Sequence, residues 1–383
     1  MINKIDRNLL NSINILGEHA KQYCIVRFDS DACAKKYIQE NNLDTYNYYS
    51  FINSVVTNLT FKNMYKLASK QDVVYISSVS KVCTLVNVAK QIIGVNNPND
   101  ETASFSIAVI DTGVYPHLDF TLGRHCNIIS FVDLINGKTR LYDDNGHGTF
   151  VTSLICGNGL VSGSKYSGID YNNNIVVIKA LDGDGETNAL TILSAMQYIY
   201  DNREKYNIKI VCMSFGSNVL DKDDPLVLGA EALWNAGVCV VCACGNSGPD
   251  AETIKSPSAS SRVISVGALQ DNRVGDVYNK NMFEVAQFSS RGPVFGNYKP
   301  DVIVSGVDVI SACNFHINKT HYTKMSGTSV ATPIVAGVVA KLIKKYPNHS
   351  PDQIKKILIN NCNQLTGDRN VEGYGWLNLE KIL

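Results

Sequence analysis

The amino-acid sequence predicts an α/β protein with a doubly wound parallel sheet, preceded by a small N-terminal α+β domain of ferredoxin-like type. Two observations predict the sheet. After Thr102, strands alternate with helices, and the strands are apolar on both faces. This combination is typical of a parallel sheet that helices cover on both sides. A third observation, the alternation of short strands and helices before residue 80, predicts the small domain.

The small domain is predicted from the segment that follows Gln22. Its strands are expected at 23–28, 51–59 and 73–77, and its helices at 31–39 and 62–70. Order and length together indicate a small α+β sandwich. We assign residues 1–85 to this domain and residues 86–383 to the larger one. The join is expected in the extended stretch 80–87.

The larger domain is predicted from Val- and Ile-rich strands separated by helical segments. The strands are expected at 106–110, 175–181, 208–214, 238–243 and 263–268, and the helices at 147–155, 187–202 and 226–236. Near the C-terminus, Ser350 and Gln353 form a capping box with Pro351 at the first helical position. This box predicts a last amphipathic helix that ends at Ile359.

The amino-acid composition indicates the class of protein and excludes some classes of partner. The 383 residues include 45% hydrophobic residues, and 35 basic residues balance 35 acidic ones. Such a chain can bury a large core, and its zero net charge predicts no nucleic-acid partner. The N-terminus lacks the apolar stretch of a secretory signal, and no apolar run reaches the roughly 18 residues of a membrane span. We therefore expect a cytoplasmic protein with no membrane partner.

The cysteines favour the same compartment. Their number, 11, is odd, and several lie in apolar strands. Reduced thiols in the cytosol are expected from this pattern. Cys239 and Cys242 have the C-x-x-C spacing of redox or metal sites, but no second cysteine pair or histidine cluster lies near them in the sequence. We favour a buried strand in which cysteine acts as a small hydrophobe, and we predict no metal and no cofactor.

Acyl-transfer chemistry is indicated by three segments. Ser329 lies where the run 325–333 opens a long apolar helix, and a helix N-terminus stabilises developing negative charge. His147 lies between two glycines, and Asp111 ends an apolar strand. A serine nucleophile needs a base within hydrogen-bond reach and a third group that orients the base. These residues supply all three.

Two other hydrolase classes share parts of this pattern. Asp111-Thr112-Gly113 could be half of an aspartic protease site, but the sequence contains no second copy. The segment around Ser329 lacks the final glycine of the Gly-x-Ser-x-Gly elbow of α/β-hydrolases. Neither class accounts for the three segments together.

The order Asp111, His147, Ser329 is that of subtilisin, and the three motifs together resemble the subtilase family. Stretches such as 246–250 and 115–117 are most similar to the AprX-type branch of intracellular bacterial subtilases. The resemblance implies a subtilisin-type sheet and a serine endopeptidase that cleaves peptide or protein substrates through an acyl-enzyme on Ser329. His147 would be the general base, and Asp111 would orient it. The alternative is a pseudoprotease that only binds peptides.

The resemblance also implies the remaining site residues. Asn246 corresponds to the residue whose side chain stabilises the oxyanion. Ser214, Phe215 and Gly216 correspond to the segment that pairs with an extended peptide.

Lys255 is expected at the floor of the S1 pocket. Its ammonium would then favour an acidic P1 residue, or its stem would extend to solvent and leave an apolar pocket. The segment 157–164 lacks carboxylates, so we expect no calcium site there.

The small domain resembles the propeptide of this family, which implies that the protein's own N-terminal domain is an inhibitory partner and a folding chaperone. An accessory module without an inhibitory role is the alternative.

Overall fold

A computed structural model describes residues 4–5, 9–10, 20–43, 48–49, 53–78, 105–122, 125–218, 224–272 and 282–378. These residues form two compact units. The expected domain boundary after residue 85 and the expected join at 80–87 lie outside the described residues. No helix in the described ranges is long and apolar enough to cross a membrane.

The N-terminal unit has the predicted ferredoxin-like architecture. Its elements are β1 (Lys21–Phe28), α1 (Asp31–Asn41), β2 (Tyr48–Tyr49), β3 (Ser54–Thr60), α2 (Phe61–Ala68) and β4 (Val73–Ser78). The strands form an antiparallel sheet in the order β2-β3-β1-β4. The sequence had indicated one strand at 51–59. The structure has β3 there and the additional two-residue strand β2 before it.

Local sequence explains these elements. Ser30 and Thr60 cap the two helices, because their side chains accept hydrogen bonds from the backbone N–H groups of Cys33 and Asn63. Alternate residues of β1 such as Cys24 and Val26 are buried in a core with the two helices, as the two-residue period of a strand requires.

The larger unit is built on a ten-stranded sheet. Its main strands are β5 (Ser106–Asp111), β8 (Ile128–Asp133), β9 (Asn174–Lys179), β10 (Ile208–Met213), β11 (Cys239–Ala243), β12 (Ile264–Asp271) and β14 (Val302–Ser305). They are parallel neighbours in the order β14-β12-β11-β10-β5-β9-β8. The chain starts at β5, passes to β8 at one edge, returns to β9 between these two strands, and then builds outward on the other side from β10 to β14. This confirms the predicted doubly wound parallel sheet.

Shorter strands complete the larger unit. They are β6 (Thr121–Leu122), β7 (His125–Cys126), β13 (Phe283–Val285), β15 (Val309–Ala312), β16 (Tyr322–Met325), β17 (Cys362–Asn363) and β18 (Trp376–Leu377). Of these, β15 and β16 form an antiparallel hairpin that leads to Ser329.

Helices are present at the predicted places 147–155, 187–202 and 226–236, and others occur elsewhere in the larger unit. They are α3 (His147–Cys156), α4 (Ala189–Asn202), α5 (Pro225–Asn235), α6 (Phe315–Asn318), α7 (Thr328–Lys345), α8 (Pro351–Asn360) and α9 (Arg369–Glu372). The capping box of Ser350 and Gln353 is present at the start of α8. Helix α7 is buried from Val330 to Leu342 and packs in the main core with the central strands. Ser329 therefore lies on a rigid support.

Candidate active site

Asp111 and His147 meet at the carboxyl edge of the sheet. Asp111 ends β5 and His147 begins α3, and His147 Nδ1 lies 2.7 Å from Asp111 Oδ1. The Asp111 side chain is 2% exposed and that of His147 is 26% exposed. A carboxylate that accepts from Nδ1 keeps the proton on that nitrogen and leaves Nε2 as an acceptor toward the cleft.

The environment of His147 shifts its titration. Burial lowers the pKa of His147, but the charge and hydrogen bond of Asp111, together with the charge of Asp143, outweigh burial and raise the pKa above its usual value. The imidazolium that forms when a base accepts a proton is thus stabilised.

Asp143 is a supporting residue that sequence reasoning missed. Its Oδ2 accepts from the N–H and hydroxyl of Thr149 at 2.9 and 2.6 Å, and its Oδ1 accepts from the Gly146 N–H at 2.8 Å. Oδ1 also accepts from the Thr112 hydroxyl at 2.9 Å. Asp143 therefore ties the first turn of α3 to the end of β5. A carboxylate just before a predicted helix start was the available signal.

Close packing of backbone holds the same two elements together. A Cβ added at Gly148 would lie 2.2 Å from the carbonyl oxygen of Gly113. Only glycine fits at position 148, which explains the glycine that follows His147.

Ser329 and Asn246 face the same small space. Asn246 Oδ1 accepts from both the N–H and the hydroxyl of Thr328, each at 2.9 Å. This contact fixes the orientation of the Asn246 amide. A Cβ added at Gly327 would lie 2.9 Å from Ser329 Oγ and 3.3 Å from Asn246 Nδ2. A reacting carbonyl beside Ser329 would thus be within reach of an amide donor.

Helices α3 and α7 pack near their N-termini, through Phe150 and Leu154 on one and Val330 on the other. Among the described residues, no hydrogen bond joins His147 to Ser329. The structure therefore forms the Asp111–His147 contact and leaves the His147–Ser329 contact open. In enzymes without substrate, catalytic hydrogen bonds are often long and tighten when substrate binds.

An unpaired stretch of backbone borders the site. Ser214, Phe215 and Gly216 follow β10, and within the described ranges their backbone groups form no hydrogen bond to other backbone. The next residue, Ser217, pairs with Ser256 through hydrogen bonds of 3.0 and 2.9 Å. The segment 214–216 is thus an open strand edge.

The Lys255 side chain lies between this edge and the Asn246 segment. A Cβ at Gly216 would lie 2.7 Å from Lys255 Cβ, and a Cβ at Gly245 would lie 2.5 Å from Lys255 Cγ. Lys255 Nζ donates to Asn218 Oδ1 at 2.7 Å in an exposed position. The stem thus lies in the slot between the two glycines, and the ammonium ends at the rim.

Residues that could hold a metal do not cluster within the described part of the chain. Over the ranges described, no group of three His, Cys, Asp or Glu side chains is arranged as metal ligands would be. Cys239 and Cys242 lie buried in β11, as the interpretation of a buried strand requires.

Comparison with known proteins gives consistent matches. Residues 102–376 match the model of the subtilase family. The serine protease AprX of Bacillus subtilis (strain 168) is 40% identical over 295 residues, which are 72% of this chain and 65% of that protein. This chain therefore spans just under two thirds of that relative. A thermostable alkaline protease of Halalkalibacterium halodurans is 26% identical over 364 residues, 94% of this chain and 91% of the relative.

Solved structures show the same similarity. The S41 psychrophilic protease matches 76% of this chain and 97% of its own, with a TM-score of 0.64 and 28% identity. Sphericase matches 76% of this chain and 97% of its own, with a TM-score of 0.61 and 25% identity.

Proposed function

Because this chain belongs to the subtilase family of serine endopeptidases and has the subtilisin fold, we propose that it cleaves peptide bonds through an acyl-enzyme on Ser329. His147 is the general base and acid, and Asp111 orients it. The observation that carries this assignment is the 2.7 Å contact between His147 Nδ1 and Asp111 Oδ1, at the N-terminus of a helix that packs against the helix of Ser329.

The position of each residue assigns it a step of the reaction. His147 Nε2 takes the proton of Ser329 Oγ as Oγ attacks the carbonyl carbon. The oxyanion accepts hydrogen bonds from Asn246 Nδ2 and from the Ser329 N–H, which lies in the first turn of α7. His147 then protonates the leaving amine, the peptide bond breaks, and a water that His147 activates releases the acid product.

Covalent labelling tests this assignment directly. A fluorophosphonate probe is expected to form one adduct, which peptide mapping by mass spectrometry places on Ser329. The Ser329→Ala variant is the control and should remain unlabelled. If neither the wild-type protein nor a chain begun at residue 86 is labelled, although both are folded, the protein is a peptide-binding pseudoprotease instead.

The open edge 214–216 supports a binding mode in which the substrate pairs with the protein backbone. We propose that the acyl portion of the substrate pairs with Ser214, Phe215 and Gly216 as an added strand. The unpaired backbone of these residues supplies the donors and acceptors, and the Lys255 slot takes the P1 side chain.

We propose a broad apolar P1 preference, because the Lys255 ammonium bonds Asn218 at the rim and its stem lines the slot with methylene groups. Lys255→Ala is expected to raise kcat/KM for P1 Phe about 4-fold relative to P1 Ala, since the burial of one further methylene contributes roughly 0.8 kcal/mol. A peptide library varied at P1 measures this. If wild type cleaves P1 Glu about 10-fold better than the variant does, the ammonium faces the pocket and the acidic preference holds.

The N-terminal unit is proposed to be an inhibitory propeptide domain spanning residues 1–85. Its helices cover one sheet face, while Tyr23 and Tyr75 are 47% and 39% exposed. Exposed aromatics on a sheet suit a face that docks on another surface. A separate fragment of residues 1–85 should inhibit a chain begun at residue 86 at micromolar concentration.

Substitution of the exposed aromatics supplies the control for this test. A fragment with Tyr23→Asp and Tyr75→Asp should inhibit at least about 10-fold less, since charges at a docking face are desolvated. Absence of inhibition by the unaltered, folded fragment would leave the domain an accessory module.

A cytoplasmic location is proposed from the thiols. Every cysteine within the described part of the chain is free. Cys244, beside the Asn246 segment, is fully buried, and burial raises the pKa of its thiol to about 12. Such thiols behave as small hydrophobic groups and match a reducing compartment.

A further inference from the structure

A pocket of about 440 Å³ opens at the amino edge of the parallel sheet, opposite the edge that carries Asp111 and His147. Ser261 lines it three residues before β12 begins, and the segment from Lys299 to Asp301 lines it directly before β14. Helices α8 and α9 supply the rest of its charged lining. A strand rises about 3.3 Å per residue, so strands of four to eight residues separate the two edges by roughly 13–26 Å. We call this site the amino-edge pocket.

The lining of the amino-edge pocket is positively charged. Lys299, Lys355 and Arg369 line it, and Asp301 supplies the one carboxylate among the described lining residues. Asp301 Oδ2 accepts from Lys299 Nζ at 2.7 Å, and Asp301 Oδ1 lies 3.1 Å from Lys355 Nζ. Burial lowers the pKa of Lys299 to about 8, so this ammonium is still mostly charged at neutral pH. Three positive groups therefore face one negative group, which leaves a net charge of +2.

The two lysines are held by the protein itself. Lys355 Nζ donates to the carbonyl oxygens of Ser261, Arg262 and Val263 at 3.0, 3.1 and 2.8 Å. Lys299 Nζ donates to the Val263 carbonyl oxygen at 3.2 Å. Their N–H groups are thus used within the wall of the pocket. The two lysines contribute charge, and a ligand needs its direct hydrogen-bond donor from another residue.

Arg369 is the cation that remains available to a ligand. Its Cζ lies 4.1 Å from the centre of the Tyr374 ring and 5.4 Å from that of the Tyr298 ring, and both tyrosines line the pocket. Among the described residues, the guanidinium has no hydrogen-bond or ion-pair partner. The carboxylate of Glu372, on the same helix, accepts instead from the backbone N–H groups of residues 365–367. The two rings therefore hold the guanidinium at the pocket and leave its N–H groups unpaired.

A stacked guanidinium with unpaired N–H groups is a binding group for oxyanions. Its planar fork matches the two oxygens of a carboxylate and the oxygens of a phosphate. The net charge of the lining favours a ligand with two negative charges, and the volume of the pocket is in the range of small-molecule sites. We propose that the amino-edge pocket binds a small organic dianion, a phosphate monoester or a dicarboxylate, and that Arg369 holds one of its oxyanion groups.

Calorimetric titration of the whole chain with the Ser329→Ala substitution tests the proposal, because this parent protein is not expected to digest itself. The probes are phenyl phosphate and succinate at neutral pH and constant ionic strength, with sodium chloride as the blank. At least one probe should bind at a single site with a Kd on the order of 1 mM, as expected for two charge-assisted hydrogen bonds. The probe that binds more tightly identifies the oxyanion group. Arg369→Gln in the same protein should weaken this binding at least about 10-fold.

Two further variants are matched controls. Arg203 also stacks on a tyrosine, with its Cζ 4.6 Å from the centre of the Tyr200 ring, but it does not line the amino-edge pocket. Arg203→Gln removes the same charge and should keep the Kd within about 2-fold, because an exposed charge at a distance is screened. Arg369→Lys retains the charge without the fork, so its Kd should lie between those of the parent and of Arg369→Gln.

Two results would overturn the proposal. One is a folded parent protein that binds neither probe at concentrations far above this Kd, and the other is an Arg369→Gln protein that binds as tightly as the parent. Circular dichroism and a thermal unfolding curve show whether each variant is folded, and Arg369→Met takes the place of Arg369→Gln if the latter does not fold. Since binding is measured without catalysis, neither result bears on the protease assignment.

Discussion

Replacing Ser329 by alanine is expected to lower the turnover of casein by about 10⁶-fold, a magnitude taken from the same kind of change in subtilisin. The substitution removes the hydroxyl oxygen that is proposed to attack the substrate carbonyl, while Asn246 and the binding edge remain. The residual rate should be set by those groups alone. Progress curves with casein, followed over hours at high enzyme concentration, measure it.

His147→Ala is the companion variant and should cost nearly as much, because the members of a triad act as a unit. Both variants should fold, since Ser329 and His147 keep partial exposure and neither belongs to the buried core. Circular dichroism and a thermal unfolding curve check this. Casein cleavage by Ser329→Ala at the wild-type rate would show that another group is the nucleophile.

The sequence contained the chemistry of the site in a recognisable form. Asp111 could be placed at the sheet edge because an apolar run before it reads as a buried strand. Ser329 could be placed at a helix N-terminus because a long apolar run follows it and indicates a buried helix. The meeting of Asp111 and His147 was also inferable, because open α/β sheets place their sites at the carboxyl ends of the strands.

The supporting contacts could not be read from the sequence. Asp143 is bonded to Thr112, Gly146 and Thr149, and this set becomes visible only when the end of β5 meets the start of α3. The direction of the Lys255 ammonium is a similar case. Its partner Asn218 lies 37 positions away in the chain, and a flexible stem has no directional pattern in the sequence.

In the fold, too, long apolar strands could be predicted from the sequence, whereas short or partly polar strands could not. Continuous apolar strands such as β10 and β11 were predicted. The strand β8 was not, because it is only partly buried and includes Ser130 and Asp133. The strands β14 and β15 are four residues long, which gives no period that a sequence pattern can display.

Asp111→Asn tests the 2.7 Å contact with His147 and should lower kcat by about 10⁴-fold, the loss known for the same change in trypsin. An asparagine that presents its amide N–H to Nδ1 turns this nitrogen into the acceptor. The proton then resides on Nε2, and the ring can no longer take the proton of Ser329. Steady-state kinetics on one peptide substrate measures the loss.

The pH profile separates this effect from a general loss of structure. Asp111 is the largest of the influences that raise the pKa of His147. A general base acts in its neutral form, so kcat/KM of the wild type should rise with pH through a pKa above the usual histidine value. Without the carboxylate, burial dominates and lowers that pKa, so the acidic limb should move to lower pH. The exposed variant Asp184→Asn should leave the limb in place. If the acidic limb does not move in Asp111→Asn and activity stays within about 10-fold of wild type, the carboxylate of Asp111 neither orients His147 nor raises its pKa.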